Sequence, residues 1–486
     1  MDFPRLGDFM NRTWDEDIIP VLTDYIRIPC KSPAFDKDWD RHGHMEKAVT
    51  MFADWATAKL RQLPGSSLDV VRMDGRTPLI LIEIPGTAEA SAKAGATTKE
   101  ATVLMYGHVD KQPEMAGWDK DHGPWDPVIR DGKLYGRGGA DDGYALFASI
   151  AALLALKEQG IAHGRAVILI EASEESGSPD LPFYIDHLGA RIGTPDLVVC
   201  LDSGAGNYQQ LWLTTSLRGN VIGNLTVRVL TEGVHSGAAS GIVPSSFRIL
   251  RSLLSRIEDE ATGRMKLPEL FVEIPEDRWK QSRDTAAILG DETWSGIPFA
   301  GNTKPSVPKK SNDSNAELLL EKTWRPQMAI TGMEGYPLPI DGGNVLLPYS
   351  TAKISLRLPP TLEAEKAVQA MKSALESDPP YDADVSFEAG GDNGWSAPVL
   401  APWLEASLNR ASMAAFGKPV AFHGEGGSIP FMAMLGEKFP KTQFVVAGVL
   451  GPHSNAHGPN EFLHIPFVKK LSACIATILA DHALKP

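Results

Sequence analysis

Only three cysteines, Cys30, Cys200 and Cys474, occur in 486 residues, and none stands in a Cys-x-x-Cys pair. That scarcity argues against a disulfide framework and a thiolate metal knuckle, and it fits a reducing compartment. Positive charge is short as well: 47 lysines and arginines face 61 aspartates and glutamates, a formal net charge of −14. Nucleic-acid binding needs a basic patch or stripe, so no nucleic-acid partner is expected. Long apolar runs are missing. The most apolar stretch, Tyr144 to Leu156, is shorter than the roughly 20 residues a membrane helix needs and reads as a buried core helix. The first residues, Met1-Asp2-Phe3-Pro4-Arg5 onward, lack the basic start and apolar centre of a secretory signal. A cytoplasmic, soluble protein with no membrane partner is expected. Gly136-Arg137-Gly138-Gly139 has neither the Walker lysine nor GxGxxG spacing, so it reads as a tight turn and not as a phosphate loop.

The chain is longer than one hydrophobic core usually serves, so two domains are expected. Up to about residue 210 strands alternate with helices. Asp15–Arg27, Met45–Leu63 and Tyr144–Gln159 have helical spacing, Leu79–Ile84 is a strand, and Thr87–Glu100 has loop composition. This predicts an α/β fold with a largely parallel mixed sheet flanked by helices. From about 211 the character changes. Asn220–Leu230 alternates apolar and polar residues; a helix over Ser245–Glu260, a strand over Ala352–Leu358, a helix over Glu363–Leu375 and a strand over Asp384–Glu388 follow. That order predicts a small α+β unit with one solvated sheet face. The Trp- and Pro-containing stretch Phe271–Glu334 falls within it as a covering segment. The α/β pattern returns with a helix over Trp403–Phe416, a strand over Phe444–Ala447 and a helix over Pro466–Leu484. The expected arrangement is therefore 1–210 and 396–486 as one domain, with 211–395 inserted into it.

Chemistry-bearing residues gather where these strands end. Thr102–Tyr106 leads through Gly107 into His108 and Asp110. Val167–Ile170 leads into Glu174-Glu175, and Leu197–Leu201 ends on Asp202. Short apolar runs of this kind read as buried parallel strands, and ligands bind beyond the carboxyl ends of such strands. Adjacent glutamates are ordinarily a solvated charged patch, and a lone histidine is ordinarily structural. Their delivery to one sheet edge, with Asp141 and His457, instead suits Zn²⁺ or Mn²⁺ and points to a metallohydrolase. Asp142 could cap the following helix and is given no catalytic role. His453 competes with His457 for the ligand position. His42, His44, His122, His163 and His187 read as surface or structural.

Seven motifs occur in order: Gly107-His108-Val109-Asp110, Gly136–Asp142, Glu174–Ser178, Asp202-Ser203-Gly204, His235-Ser236-Gly237, Glu425–Pro430 and His457–Glu461. Together they resemble the co-catalytic zinc exopeptidases that include carnosine-type cytosolic dipeptidases, aminoacylase and the acetylornithine and succinyl-diaminopimelate deacylases. The resemblance implies two divalent metals per subunit, with Zn first and Mn or Co as alternatives. His108 and Asp202 would hold one metal, Glu175 and His457 the other, and Asp141 would bridge them, leaving room for a reactive water. It implies Glu174 as general base and Asp110 as the carboxylate that orients His108. It further implies Arg357, Asn344, Gly427 and Ser428 as substrate contacts, and a ferredoxin-like lid through which a homodimer forms. His235 of one subunit would reach into the other's site. Many relatives have a lysine after the Asp-Asp pair, where this chain has Gly143-Tyr144, which leaves the substrate branch open. The long insert favours a dipeptidase. An N-acyl amino acid deacylase is the rival within hydrolases, and a non-catalytic metal-binding scaffold is the rival outside them.

Overall fold

The structure, a computed structural model, describes residues 1–87, 101–307 and 313–485. Apart from Thr87, the loop expected at 87–100 lies outside the described residues. The chain divides into two compact units, one of Met1–Thr214, Ala397–His423 and Met434–Pro486, the other of Thr215–Ser396 and Gly424–Ala433. The inserted unit thus includes a short segment, Gly424–Ala433, from beyond the expected insert.

The first unit is built on a six-stranded sheet in the order Ser67–Val71, Leu79–Ile84, Arg165–Glu171, Thr102–His108, Leu197–Cys200, Gln443–Val446. The last three pairings are parallel and the first two antiparallel. The expected mixed sheet is present, and the strand Ser67–Val71, whose polar residues masked it in the sequence, adds an antiparallel edge. The strand Thr102–His108 is buried at every residue, as a central parallel strand covered on both faces should be. Helices His44–Leu60 and Ala145–Glu158 pack against this sheet, and Ile465–His482 packs on the second of them. Ala145–Glu158 has no polar face: every residue from Ala145 to Leu156 is buried, which explains the apolar run. At the N-terminus the helical region begins earlier than Asp15. A helix Phe3–Thr13, capped by the Asp2 side chain, runs through a wider π turn at Trp14–Ile18 into Ile19–Ile26.

The parallel pairings give the site its position. Register sets His108 beside Glu171 and Tyr106 beside Cys200, so the segments carrying His108, Glu174-Glu175 and Asp202 all leave from one edge. The second unit holds an antiparallel sheet in the order Gln327–Glu334, Tyr349–Leu358, Gly219–Arg228, Asp384–Asp392. Helices Ser246–Ile257 and Ala364–Glu376 cover one face around Val221, Leu225, Ile249, Leu253, Ile354 and Met371. Sheet order and connections are ferredoxin-like. Helices Glu276–Leu289 and Ser314–Thr323 of the covering segment pack on each other.

One buried cation ties the site segment to the N-terminal helices. The Lys111 ammonium donates to the carbonyls of Tyr25 at 2.9 Å, Ile26 at 3.2 Å and Ile28 at 2.8 Å, oxygens at and just beyond the C-terminal end of helix Ile19–Ile26, where the helix dipole favours a cation. Gly138 makes room for it, since a Cβ there would lie 2.6 Å from Lys111 Cε. Burial pushes the ammonium down to about 8, from 10.5. Between those values the unfolded chain holds the extra proton, so the burial penalty present at neutral pH is relieved as pH rises. Lys111→Met removes that titration. Between about pH 7.5 and about pH 9.5, unfolding measurements on both proteins should show the stability difference moving by roughly 2 kcal/mol in the wild type's favour. A pH-independent difference would contradict this account of Lys111.

Candidate metal centre

His108 closes the strand Thr102–His108 and is 1% exposed. Its Nδ1 lies 3.0 Å from the Asp110 backbone oxygen, a bond that puts the proton on Nδ1 and leaves the Nε2 lone pair free. Nε2 has no hydrogen-bond partner and faces Asp141 Oδ1 at 3.4 Å, Asp202 Oδ2 at 3.9 Å and Glu174 Oε2 at 3.9 Å. On the other side of Asp141, Oδ2 is 3.0 Å from His457 Nε2, which is in turn 3.4 Å from Glu175 Oε2. Asp141 therefore stands between the two imidazoles, one oxygen toward each. His457, and not His453, is the histidine set against it.

Asp110 acts differently from the expectation that its carboxylate orients His108. The ring is held by the Asp110 backbone carbonyl, while the carboxylate is 3.5 Å from Nδ1. The two carboxylate oxygens instead accept the backbone N–H groups of Glu174 at 3.1 Å and Glu175 at 3.0 Å. One residue thus fixes both the histidine and the glutamate turn. Gln112 donates to Glu175 Oε2 at 2.6 Å. The fit to divalent cations rests on the atoms left over. His108 Nε2 and Glu175 Oε1 are buried without a partner, and so are both carboxylate oxygens of Asp142. His108, Asp141 and Glu175 offer ligand atoms within 4.8 Å of one another, as do His108, Asp142 and Asp202. Asp142 is therefore not the helix cap its position suggested. It is a buried carboxyl on the Asp202 side, and its neighbour Asp141 obscured it in the sequence.

Burial dominates the proton affinities. It raises the carboxyls of Glu174, Glu175 and Asp142, with further push from neighbouring carboxylates, and lifts Asp202 to about 6. Asp141 goes the other way: burial opposes its ionisation, yet His108 and His457 hold it below the usual range. Cation binding would displace protons from such a group.

The turn that delivers Asp141 is locked to the loop that delivers His457. Arg137 donates to Glu461 Oε2 at 2.6 Å and to the Gly458 and His457 carbonyls at 2.8 and 3.2 Å. Glu461 Oε1 accepts the Gly138 N–H at 3.0 Å. Both side chains are buried. Gly143 is forced as well, because a Cβ there would lie 2.2 Å from the Tyr25 ring and 2.6 Å from the Gly138 oxygen. The Tyr144 hydroxyl bonds the Leu201 carbonyl next to Asp202.

Other expected site residues lie in the second unit. Strand pairing sets His235 opposite Val345, and the Asn344 carbonyl accepts the Ser236 N–H, so His235 and Asn344 lie on neighbouring paired segments. Arg357 faces Asn220 across the sheet, the Asn220 amide reaches Ser428 Oγ at 3.3 Å, and the Gly427 carbonyl accepts the Arg218 N–H. Arg218 and Asn220 carry no motif and have no local signature as site residues. A further group, Asp119, Asp121 and His122, is occupied by its own contacts, with Asp121 bonding both His122 and Arg130.

Residues 104–481 match the peptidase family M20/M25/M40. The chain belongs to that family. Similar curated members include a cysteinylglycine-S-conjugate dipeptidase of Corynebacterium striatum, 28% identical over 84% of this chain and 85% of that protein. A human Beta-Ala-His dipeptidase is 27% identical over 85% of this chain and 79% of its own length. The crystal structure of human carnosine dipeptidase 1 shares the fold, with a TM-score of 0.73 at 22% identity over 99% of this chain and all of that one. Among the described residues no helix is long and apolar enough to cross a membrane. For this M20 chain the buried Arg137–Glu461 pair becomes a test of the frame. Arg137→Met leaves a carboxylate buried without its partner and should cost about 3–5 kcal/mol in denaturant unfolding. It should also lower the metal content of the purified protein, and unchanged stability and metal content would contradict the assigned role.

Proposed function

We propose that this M20 chain is a dinuclear metal-dependent dipeptidase that cleaves an amide beside a free carboxylate. The observation that carries the reading is Asp141 standing between His108 and His457, with Asp202 and Glu175 on the respective sides. The dipeptidase names of the curated relatives support the substrate class. His108 and Asp202 would hold one cation, His457 and Glu175 the other, with Asp141 shared. When bound, two divalent cations polarise the scissile carbonyl and acidify the attacking water. Zn²⁺ is favoured, with Mn²⁺ and Co²⁺ as alternatives.

The remaining steps belong to the side chains. Glu174, its N–H held by Asp110, takes the proton of the attacking water and returns it to the leaving amine. Arg357 pairs with the substrate carboxylate, because a guanidinium matches it with two parallel bonds. Gly427 and Ser428 add donors, and Asn344 contacts the substrate from the segment paired with His235. His235, exposed in the second unit, supplies an N–H where negative charge develops on the carbonyl oxygen. In a homodimer formed through that unit it would do so for the partner's site. A cytoplasmic location agrees with the reduced, buried cysteines.

The test is turnover of a dipeptide panel against N-acetyl and N-succinyl amino acids, on protein loaded separately with Zn²⁺, Mn²⁺ and Co²⁺. Dipeptides should be the better substrates; preference for the acyl amino acids would make the chain a deacylase. Glu174→Gln should keep its metals and lose roughly 10²–10⁴-fold in kcat. Near-normal turnover at full metal content would take the proton-transfer role away from Glu174.

A further inference from the structure

Arg218 is 8% exposed, yet its guanidinium is mostly unused. Nε donates to the Gly426 carbonyl at 3.1 Å, while Nη1 is buried with no partner at all. The guanidinium lies against Gly426, where a Cβ would come within 3.1 Å of Nη2. Burial and the charge of another cation, Arg357, push Arg218 down to about 10. Arg357, opposite Asn220 in the adjacent strand, is itself half-buried and pushed down by burial. Among the described residues neither arginine has a carboxylate partner. A buried guanidinium with an unmade donor beside a second, half-buried one is costly. Such an arrangement is relieved by an anion that arrives from outside and accepts from both forks.

Resting on the dipeptidase reading, we propose that Arg218 is a specificity-determining residue, the second guanidinium of a carboxylate seat built with Arg357 and the Gly426–Ser428 loop. Its backbone N–H and Nε fix the loop at Gly427 and Gly426, and the remaining N–H groups meet the substrate's terminal carboxylate. A loop-fixing role alone would explain the Nε bond and leave the buried, unpartnered Nη1 beside a second arginine unaccounted for.

The test compares a well-hydrolysed dipeptide with its C-terminal amide. KM is measured for the acid, and inhibition constants for the amide and for the product amino acid, on metal-loaded wild type, Arg218→Met and Arg218→Lys. Arg218→Met should raise KM and the amino acid's inhibition constant by roughly 10–100-fold, the loss of charged hydrogen bonds. The amide's constant, metal content and kcat should move little, and Arg218→Lys should recover only part of the loss because the fork is gone. Equal weakening of acid and amide, or a fall in kcat with KM unmoved, would overturn the role of Arg218 and leave the dipeptidase reading in place. A metal-loaded wild type that hydrolyses no dipeptide would remove that reading instead, and this proposal with it.

Discussion

Buried negative charge is the constraint on which the rest of the structure depends. Asp110, Asp141, Asp142, Glu174, Glu175 and Asp202 converge on one sheet edge with His108 and His457 as the facing bases. Carboxylates facing each other in a low-dielectric interior cannot all stay ionised, and burial drives most of these toward their protonated forms. The fold can tolerate the arrangement in two ways, by holding protons there or by holding cations. Atoms such as His108 Nε2 and Glu175 Oε1, buried and bonded to nothing, favour cations.

Around that centre the chain supplies rigid support from groups that are themselves neutralised. Arg137 and Glu461 cancel each other while joining the Asp141 turn to the His457 loop. Lys111 anchors the Asp110–Gln112 segment to the carbonyls of the N-terminal helical region. Asp110 spends its carboxylate on two backbone N–H groups and its carbonyl on the His108 ring. His108 is thereby fixed through its second ring nitrogen and Glu174 and Glu175 through their backbones, which leaves His108 Nε2 and Glu175 Oε1 free. The second unit follows a different logic. There Arg218 and Arg357 have no carboxylate partner among the described residues, a state suited to a substrate carboxylate.

Much of this was legible in the sequence, for identifiable reasons. Parallel strands buried on both faces produce apolar runs such as Val103–Tyr106 and Val167–Ile170, and the residue after such a run lands at the sheet edge. His108, Glu174, Glu175 and Asp202 could therefore be read as one group. The α+β character of the second unit followed from strand alternation, because one sheet face is covered and the other is not, whereas its ferredoxin-like order came only with the family resemblance. What escaped had no local signature. Ser67–Val71 is an edge strand whose pattern is weak, and the π turn at Trp14–Ile18 interrupts a helical period that otherwise continues. Asp142, Gln112 and the Arg137–Glu461 pair depend on where distant loops meet. Arg218 reads as an ordinary charge before a strand until its burial beside Arg357 is seen. The backbone carbonyl of Asp110, in place of its carboxylate, holding His108 is likewise a choice that residue identity does not reveal.

If the carboxylate cluster is a two-cation centre, metal loading and stability are linked, since a ligand that binds only the folded state stabilises it by mass action, about 2.7 kcal/mol at a concentration ~100 times its dissociation constant. The most direct measurement is the metal content of the purified protein, taken together with its melting temperature before and after exhaustive chelation. The account predicts about two divalent ions per chain, a lower melting temperature without them, and its restoration when Zn²⁺, Mn²⁺ or Co²⁺ is returned. A chelated protein that melts at the same temperature and takes up no ion when metal is returned would contradict it.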